Sequence, residues 1–116
     1  MSQFLYQSSV SELIKMFKDR KTNPVELVKD IIKNIKKNNP HLNAFVEYDE
    51  EKIIKQAEVS EIRWNKKNPI SFLDGIPISI KDLIITKDYP TRRGSYVESL
   101  PIYSKKDAPV VRKLKK

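Results

Sequence analysis

The hydrophobic period of this chain changes near Ile70, and no single kind of element accommodates both periods. Before that point apolar residues recur three or four apart, the spacing of one helix face. From Ile76 to Ile80 they alternate with Pro77 and Ser79, the spacing of one strand face. A chain of 116 residues has room for one modest core and not two. It therefore reads as a helical region over residues 1–64 followed by strand, loop and the opening of a last helix over residues 65–116.

The helical region is punctuated by local start signals. Ser9-Val10-Ser11-Glu12 is a capping box, and Leu13, Ile14 and Phe17 follow on one face of a first helix that ends near Arg20. Asn23-Pro24-Val25-Glu26 opens a second, with an N-cap, a proline at the first helical position and a carboxylate in the first turn. Its stripe is Leu27, Val28, Ile31, Ile32 and Ile35, opposed by Lys29, Asp30, Lys33, Asn34 and Lys37, and Asn38-Asn39-Pro40 is expected to stop it. Leu42 to Tyr48 suits a short strand. Asp49 caps a third helix towards Trp64, with Ile53, Ala57 and Ile62 or Trp64 inward. Leu83-Ile84-Ile85 prolongs the later strand run. A loop marked by Pro90, Gly94, Pro101 and Pro109 leads to a helix opening over Ala108 to Lys116, its inward face marked by Val110, Val111 and Leu114.

Composition removes whole classes of function. Gly75 and Gly94 are the only glycines, so neither a Walker loop nor a dinucleotide fingerprint can be written. Without cysteine there is no disulfide, thiolate nucleophile or cysteine zinc site. His41 stands alone, so no multi-histidine metal cage is expected, and no cofactor. No run approaches the roughly 20 apolar residues of a spanning helix, and Met1-Ser2-Gln3-Phe4-Leu5 lacks a secretory pattern; a cytoplasmic chain without a membrane partner is expected. The net charge of +8 is uneven. Residues up to Glu58 hold 10 basic against 9 acidic side chains, and the remainder 13 against 6. A small basic nucleic-acid-binding or interaction protein is one reading. Solvated lysine faces are the better one, because no aromatic residues interleave the basic ones as a base-stacking surface needs.

The chemistry, if any, lies in Leu73-Asp74-Gly75-Ile76-Pro77-Ile78-Ser79-Ile80-Lys81-Asp82-Leu83-Ile84. A lysine buried in an isoleucine-rich strand costs several kcal/mol of desolvation, which favours the neutral amine and makes Lys81 a candidate base. The alternative is that Lys81 begins a loop, snorkels to water or pairs with Asp82.

This segment, followed by Pro90-Thr91-Arg92-Arg93-Gly94-Ser95 and Asp107-Ala108-Pro109-Val110-Val111, resembles the opening of the amidase signature family. There a G-[IV]-P-x-x-x-K-D strand precedes a T-x-x-G-S loop and a D-A-x-x-V helix start. Asn38-Asn39-Pro40 and Leu42-Asn43-Ala44-Phe45-Val46 are similar to that family's N-terminal region. The resemblance covers nearly the whole chain. It implies an α/β fold around a mixed sheet and a Ser-cisSer-Lys mechanism hydrolysing a carboxamide of a small-molecule substrate, with Lys81 in the lysine's place, taking a proton through a bridging serine. Burial among Ile78, Ile80 and Ile84 would keep it neutral. The family's glycine-serine stretch and nucleophile segment have no counterpart, and Ser79, Ser95 and Ser99 sit in no matching motif. The resemblance thus implies an N-terminal portion, a partial amidase domain inactive alone, with a separately encoded remainder as a conceivable partner. Lacking its sheet neighbours, it is expected to have an ordered helical half and a poorly held second half. Within the family, Thr-Arg-Arg-Gly-Ser and Lys-Asp-Leu-Ile resemble general amidases more than the amidotransferase component that acts on glutamyl-tRNA.

Overall fold

The computed structural model describes residues 4–97, 99 and 101–116. They form two units, one of residues 4–45 and 49–77, the other of residues 46–48 and 78–116.

The first unit is helical. A 3-10 turn, Leu5–Gln7, precedes α1 (Val10–Lys18), α2 (Pro24–Leu42) and α3 (Glu50–Asn65). The α1 capping box forms as read: the Glu12 N–H donates to Ser9 Oγ at 3.3 Å, and the Ser9 N–H returns to Glu12 Oε2 at 2.7 Å. At α2 the Glu26 N–H donates to Asn23 Oδ1 at 2.8 Å, with Pro24 at the first position. At α3 the Lys52 N–H donates to Asp49 Oδ1 at 3.0 Å. Leu13, Ile14, Phe17 and Leu27 form the core, with Leu5, Met16, Ile31, Trp64 and Ile76 packed against it. The Phe17 and Trp64 rings lie 5.7 Å apart in a tilted pair. From α3, Ala57 and Trp64 turn inward, while Ile62 stays exposed.

Two expectations fail where α2 ends. Asn38-Asn39-Pro40 does not stop the helix, which continues through Pro40 to Leu42. A proline one turn from the end forfeits one donor, and Asn43 supplies the real stop. It adopts a left-handed conformation (φ 49°), with its N–H on the Asn39 carbonyl at 2.8 Å. The strand expected over Leu42 to Tyr48 is absent. Leu42 is helical, and the Asn39 side chain takes both backbone groups of Phe45 that a ladder would use, at 2.8 and 3.0 Å.

The second unit has no strand among its described residues. Its regular elements are the isolated antiparallel bridge between Thr91 and Ile102 and the short α4 (Pro109–Leu114). The chain runs without turn or bend from Ile76 to Lys81, yet no neighbour completes a ladder. At Lys81 it turns, and its carbonyl accepts the N–H groups of Leu83 and Ile84 at 2.7 and 2.9 Å. The described residues therefore show the helical part of the expected α/β architecture and no strand: a strand needs a partner, and this segment meets none among them. Among the described residues no helix is long and apolar enough to cross a membrane.

Candidate functional site

Lys81 and Asp82 sit at that turn, and they diverge. The Lys81 side chain is exposed, Ile78 beside it is 45% exposed, and Ile80 and Ile84 are only half-buried. The expected burial of Lys81 among these isoleucines is not observed: among the described residues they are themselves only partly covered. Nor does Lys81 pair with Asp82, whose carboxylate is engaged elsewhere. Asp82 accepts the Arg92 N–H at 2.7 Å and the Gly94 N–H at 2.8 Å. Desolvation pushes this carboxyl up, but the backbone donors of Gly94, Arg92 and Arg93 and the Arg92 charge outweigh it and hold it below the usual carboxylate range.

The loop that Asp82 holds is tightly coiled. Arg93 and Gly94 both adopt left-handed conformations (φ 52° and 66°), and the Ser95 N–H closes the turn on the Arg92 carbonyl at 3.0 Å. Thr91 is buried; its backbone pairs with Ile102 at 2.8 and 2.9 Å, and its hydroxyl faces the Ile84 carbonyl at 3.5 Å. Asp82 and Thr91 thus lash the Thr91–Ser95 loop to the Lys81 turn. Among the described residues no serine hydroxyl is hydrogen-bonded to Lys81: Ser79 and Ser99 are exposed, and the Ser95 hydroxyl accepts the Val97 N–H at 3.2 Å.

Two further aspartates organise the chain, and sequence reasoning assigned neither a role. Asp107, just before α4, accepts the Lys87 N–H at 2.8 Å, the Thr86 hydroxyl at 3.2 Å and the Lys115 ammonium at 2.9 Å. Lys115 also bonds Asp88. Lys115 first, then the Lys87 N–H, hold the Asp107 carboxyl down to about 2. Asp74 does the same within the helical unit. It is buried and accepts the Ser60 hydroxyl at 2.7 Å, Arg63 Nε at 2.7 Å, Arg63 Nη2 at 2.5 Å and the Ile70 N–H at 3.0 Å. Burial pushes its carboxyl up, but Arg63, Ser60 and Ile70 together hold it below the ordinary value. The only available signal was Ser60 and Arg63 three apart on one helix face. Among the described residues no three acidic, histidine or cysteine side chains come together to hold a metal ion.

Comparison with known proteins matches the family described as Amidase over residues 26–116. The chain is similar to the glutamyl-tRNA(Gln) amidotransferase A subunit of Coxiella burnetii (strain Dugway 5J108-111), 37% identical over 91 residues, which are 78% of this chain and 19% of the relative. The same protein of Lactobacillus johnsonii is 37% identical over 110 residues, 93% of this chain and 21% of the relative. That of Staphylococcus aureus (strain bovine RF122 / ET3-1) is 36% identical over 97 residues, 82% and 20%. The chain spans about a fifth of the length of the curated relatives it matches.

Proposed function

Because this chain belongs to the amidase family, we propose that it contributes Lys81 to an amide-hydrolysing centre whose two serines come from the part of the family fold it does not match. The observation that carries the reading is the lashing of the Lys81 turn to the Thr91–Ser95 loop by Asp82, which gives the lysine a fixed backbone position. In the proposed reaction a serine attacks the carboxamide carbon and its proton passes through the bridging serine to Lys81. The tetrahedral intermediate collapses as Lys81 returns that proton through the bridging serine to the amide nitrogen, which leaves as ammonia, and water then cleaves the acyl-enzyme. General-base work needs the amine unprotonated, which a site closed to water favours, so an exposed Lys81 is the uncovered half of the machine. The chain alone is accordingly inactive.

Within the family, all three relatives bear the name of a glutamyl-tRNA(Gln) amidotransferase component. That favours the amidotransferase branch over the general amidase that the loop residues suggested, and a protein working alongside other subunits. The test is ammonia release from glutamine and simple carboxamides by the purified chain, alone and with the unmatched remainder of a relative. The chain alone is expected to release none. The pair is expected to be active and to lose at least about 1,000-fold with Lys81→Ala. Release by the chain alone that survives Lys81→Ala would refute the assignment.

A further inference from the structure

Within the helical unit the α1–α2 corner, the first turn of α2 and the end of α3 line a cleft of about 200 Å³. Phe17 and Trp64 form its apolar wall, and the Trp64 indole is held twice, by the Phe17 ring and by its N–H on the Asp74 carbonyl at 2.9 Å. Around that wall stand two cations, Arg20 and Lys21, and two carboxylates, Glu26 and Glu61. The cations spring from backbone tied to α1: the Arg20 N–H donates to the Phe17 carbonyl at 3.2 Å, and the Lys21 N–H to the Met16 carbonyl at 2.9 Å. Arg20 is left-handed (φ 55°) immediately past the C-cap Asp19, a place that favours glycine. An arginine there accepts backbone strain and keeps a guanidinium, whose Nη2 donates to the Asn65 carbonyl across the cleft at 3.5 Å. Of the Glu26 carboxylate, the buried Thr22 hydroxyl holds Oε2 at 2.7 Å and leaves Oε1 open.

Elsewhere in this unit opposite charges meet: Lys36 and Glu50 at 2.8 Å, Arg63 and Asp74 at 2.5 Å. Among the described residues none of the four charges at the cleft forms an ion pair, although both signs line one cavity. A simple anion would meet Glu26 and Glu61 there, and a simple cation Arg20 and Lys21. A solute carrying both signs meets a partner for each. The volume falls below the roughly 300–1,000 Å³ of pockets for drug-sized ligands, so the solute is small. We propose that the cleft binds a free α-amino acid with an apolar side chain, its carboxylate taken by Arg20 and Lys21, its ammonium by Glu26 and Glu61, and its side chain by Phe17 and Trp64. This site is separate in its chemistry from the role assigned to Lys81 and does not rest on it.

Trp64 is the only tryptophan of the 116-residue chain, so its fluorescence reads the cleft directly. The probe is L-leucine. It is expected to shift the Trp64 emission saturably, with a Kd of about 1 mM, and to move the Lys21 and Asn65 amide resonances. N-acetyl-L-leucine lacks the ammonium and L-leucinamide the carboxylate. Each should bind at least about tenfold more weakly, having lost one charge-assisted contact. Arg20→Gly places the favoured residue in the left-handed position, so the chain should stay folded while leucine weakens about tenfold. Leucinamide, with no carboxylate to lose, should be unaffected. Glu61→Gln, at a side chain without a hydrogen bond among the described residues, should weaken leucine by a similar factor and spare N-acetyl-L-leucine. Equal affinity for the three compounds would mean apolar contact alone and overturns the site, as does the lack of any saturable response well above the expected Kd. A loss with Arg20→Gly that falls equally on leucinamide overturns the placing of the carboxylate.

Discussion

The two units of this chain are held together by different physics. The helical unit has an apolar centre in which Leu13, Ile14, Phe17, Leu27, Val28 and Ile32 are all buried, and its polar contacts decorate that centre. In the second unit Val111 is the one described hydrophobic side chain that is buried, and shape comes from carboxylates gripping distant backbone: Asp82 on the 92–94 turn, Asp107 on Lys87. An apolar core is self-sufficient, because burial lowers free energy whatever lies outside. A set of clasps fixes local geometry but leaves apolar faces such as Ile78, Leu83 and Val110 in water. The second unit therefore takes its shape from local clasps, and the helical unit from its buried core.

The contrast breaks most visibly at Phe17. Truncation to alanine removes the ring that meets both Leu27 and Trp64 across the core, and should cost the helical unit about 3–5 kcal/mol, measured by loss of helical ellipticity against urea. The Arg92 and Gly94 amide resonances should keep their hydrogen-bonded shifts. If they collapse with the helices, the two units are not held independently.

Acid acts in the opposite direction. The Asp107 carboxyl lies at about 2 in the folded chain, below its unfolded value of about 3.9. Its contribution is therefore complete above pH 4 and lost as pH falls towards 2. Asp82, also lowered, follows the same sign. Asp74 weakens as well, but the apolar core around it persists. Amide exchange at Lys87, Arg92 and Gly94 should rise between pH 4 and 2 before the helices melt, and simultaneous loss would argue against clasps as the chief support.

What the sequence made legible follows the same division. Helix starts were readable because Ser9, Asn23 and Asp49 act on donors three residues away, and the inward stripe of α2 is a period, not a contact. The end of α2 was misread because Pro40 is a strong signal in isolation, and its small cost one turn from the terminus depends on Asn43 and on Asn39 reaching Phe45. The strand pattern at residues 76–81 was legible yet realises no ladder, since no segment among the described residues pairs with it. Lys81 stood out through its isoleucine-rich surroundings and the motif resemblance, whereas Asp82 gripping residues 10 and 12 places on, and Asp107 gripping Lys87 20 places back, left no periodic trace.

The two glycines offer the finest comparison, because both adopt left-handed backbone while their surroundings differ. At Gly75 (φ 83°) an added Cβ would lie 2.6 Å from Pro24 Cγ and 2.7 Å from Ser60 Oγ. Pro24 is fully buried and Ser60 is bonded to Asp74, so neither gives way cheaply. Gly75→Ala should therefore add overpacking to backbone strain, about 2–4 kcal/mol together, and disturb the Ser60–Asp74–Arg63 network. At Gly94 (φ 66°) nothing lies within 4 Å of the added atom, which leaves strain alone, about 1 kcal/mol, partly offset by a less flexible unfolded chain. Denaturant midpoints and the Gly94 and Arg92 amide shifts read both. Equal penalties would mean that the contact of Gly75 with α2 and α3 carries no energy, and that the helical unit is as loosely filled as its neighbour.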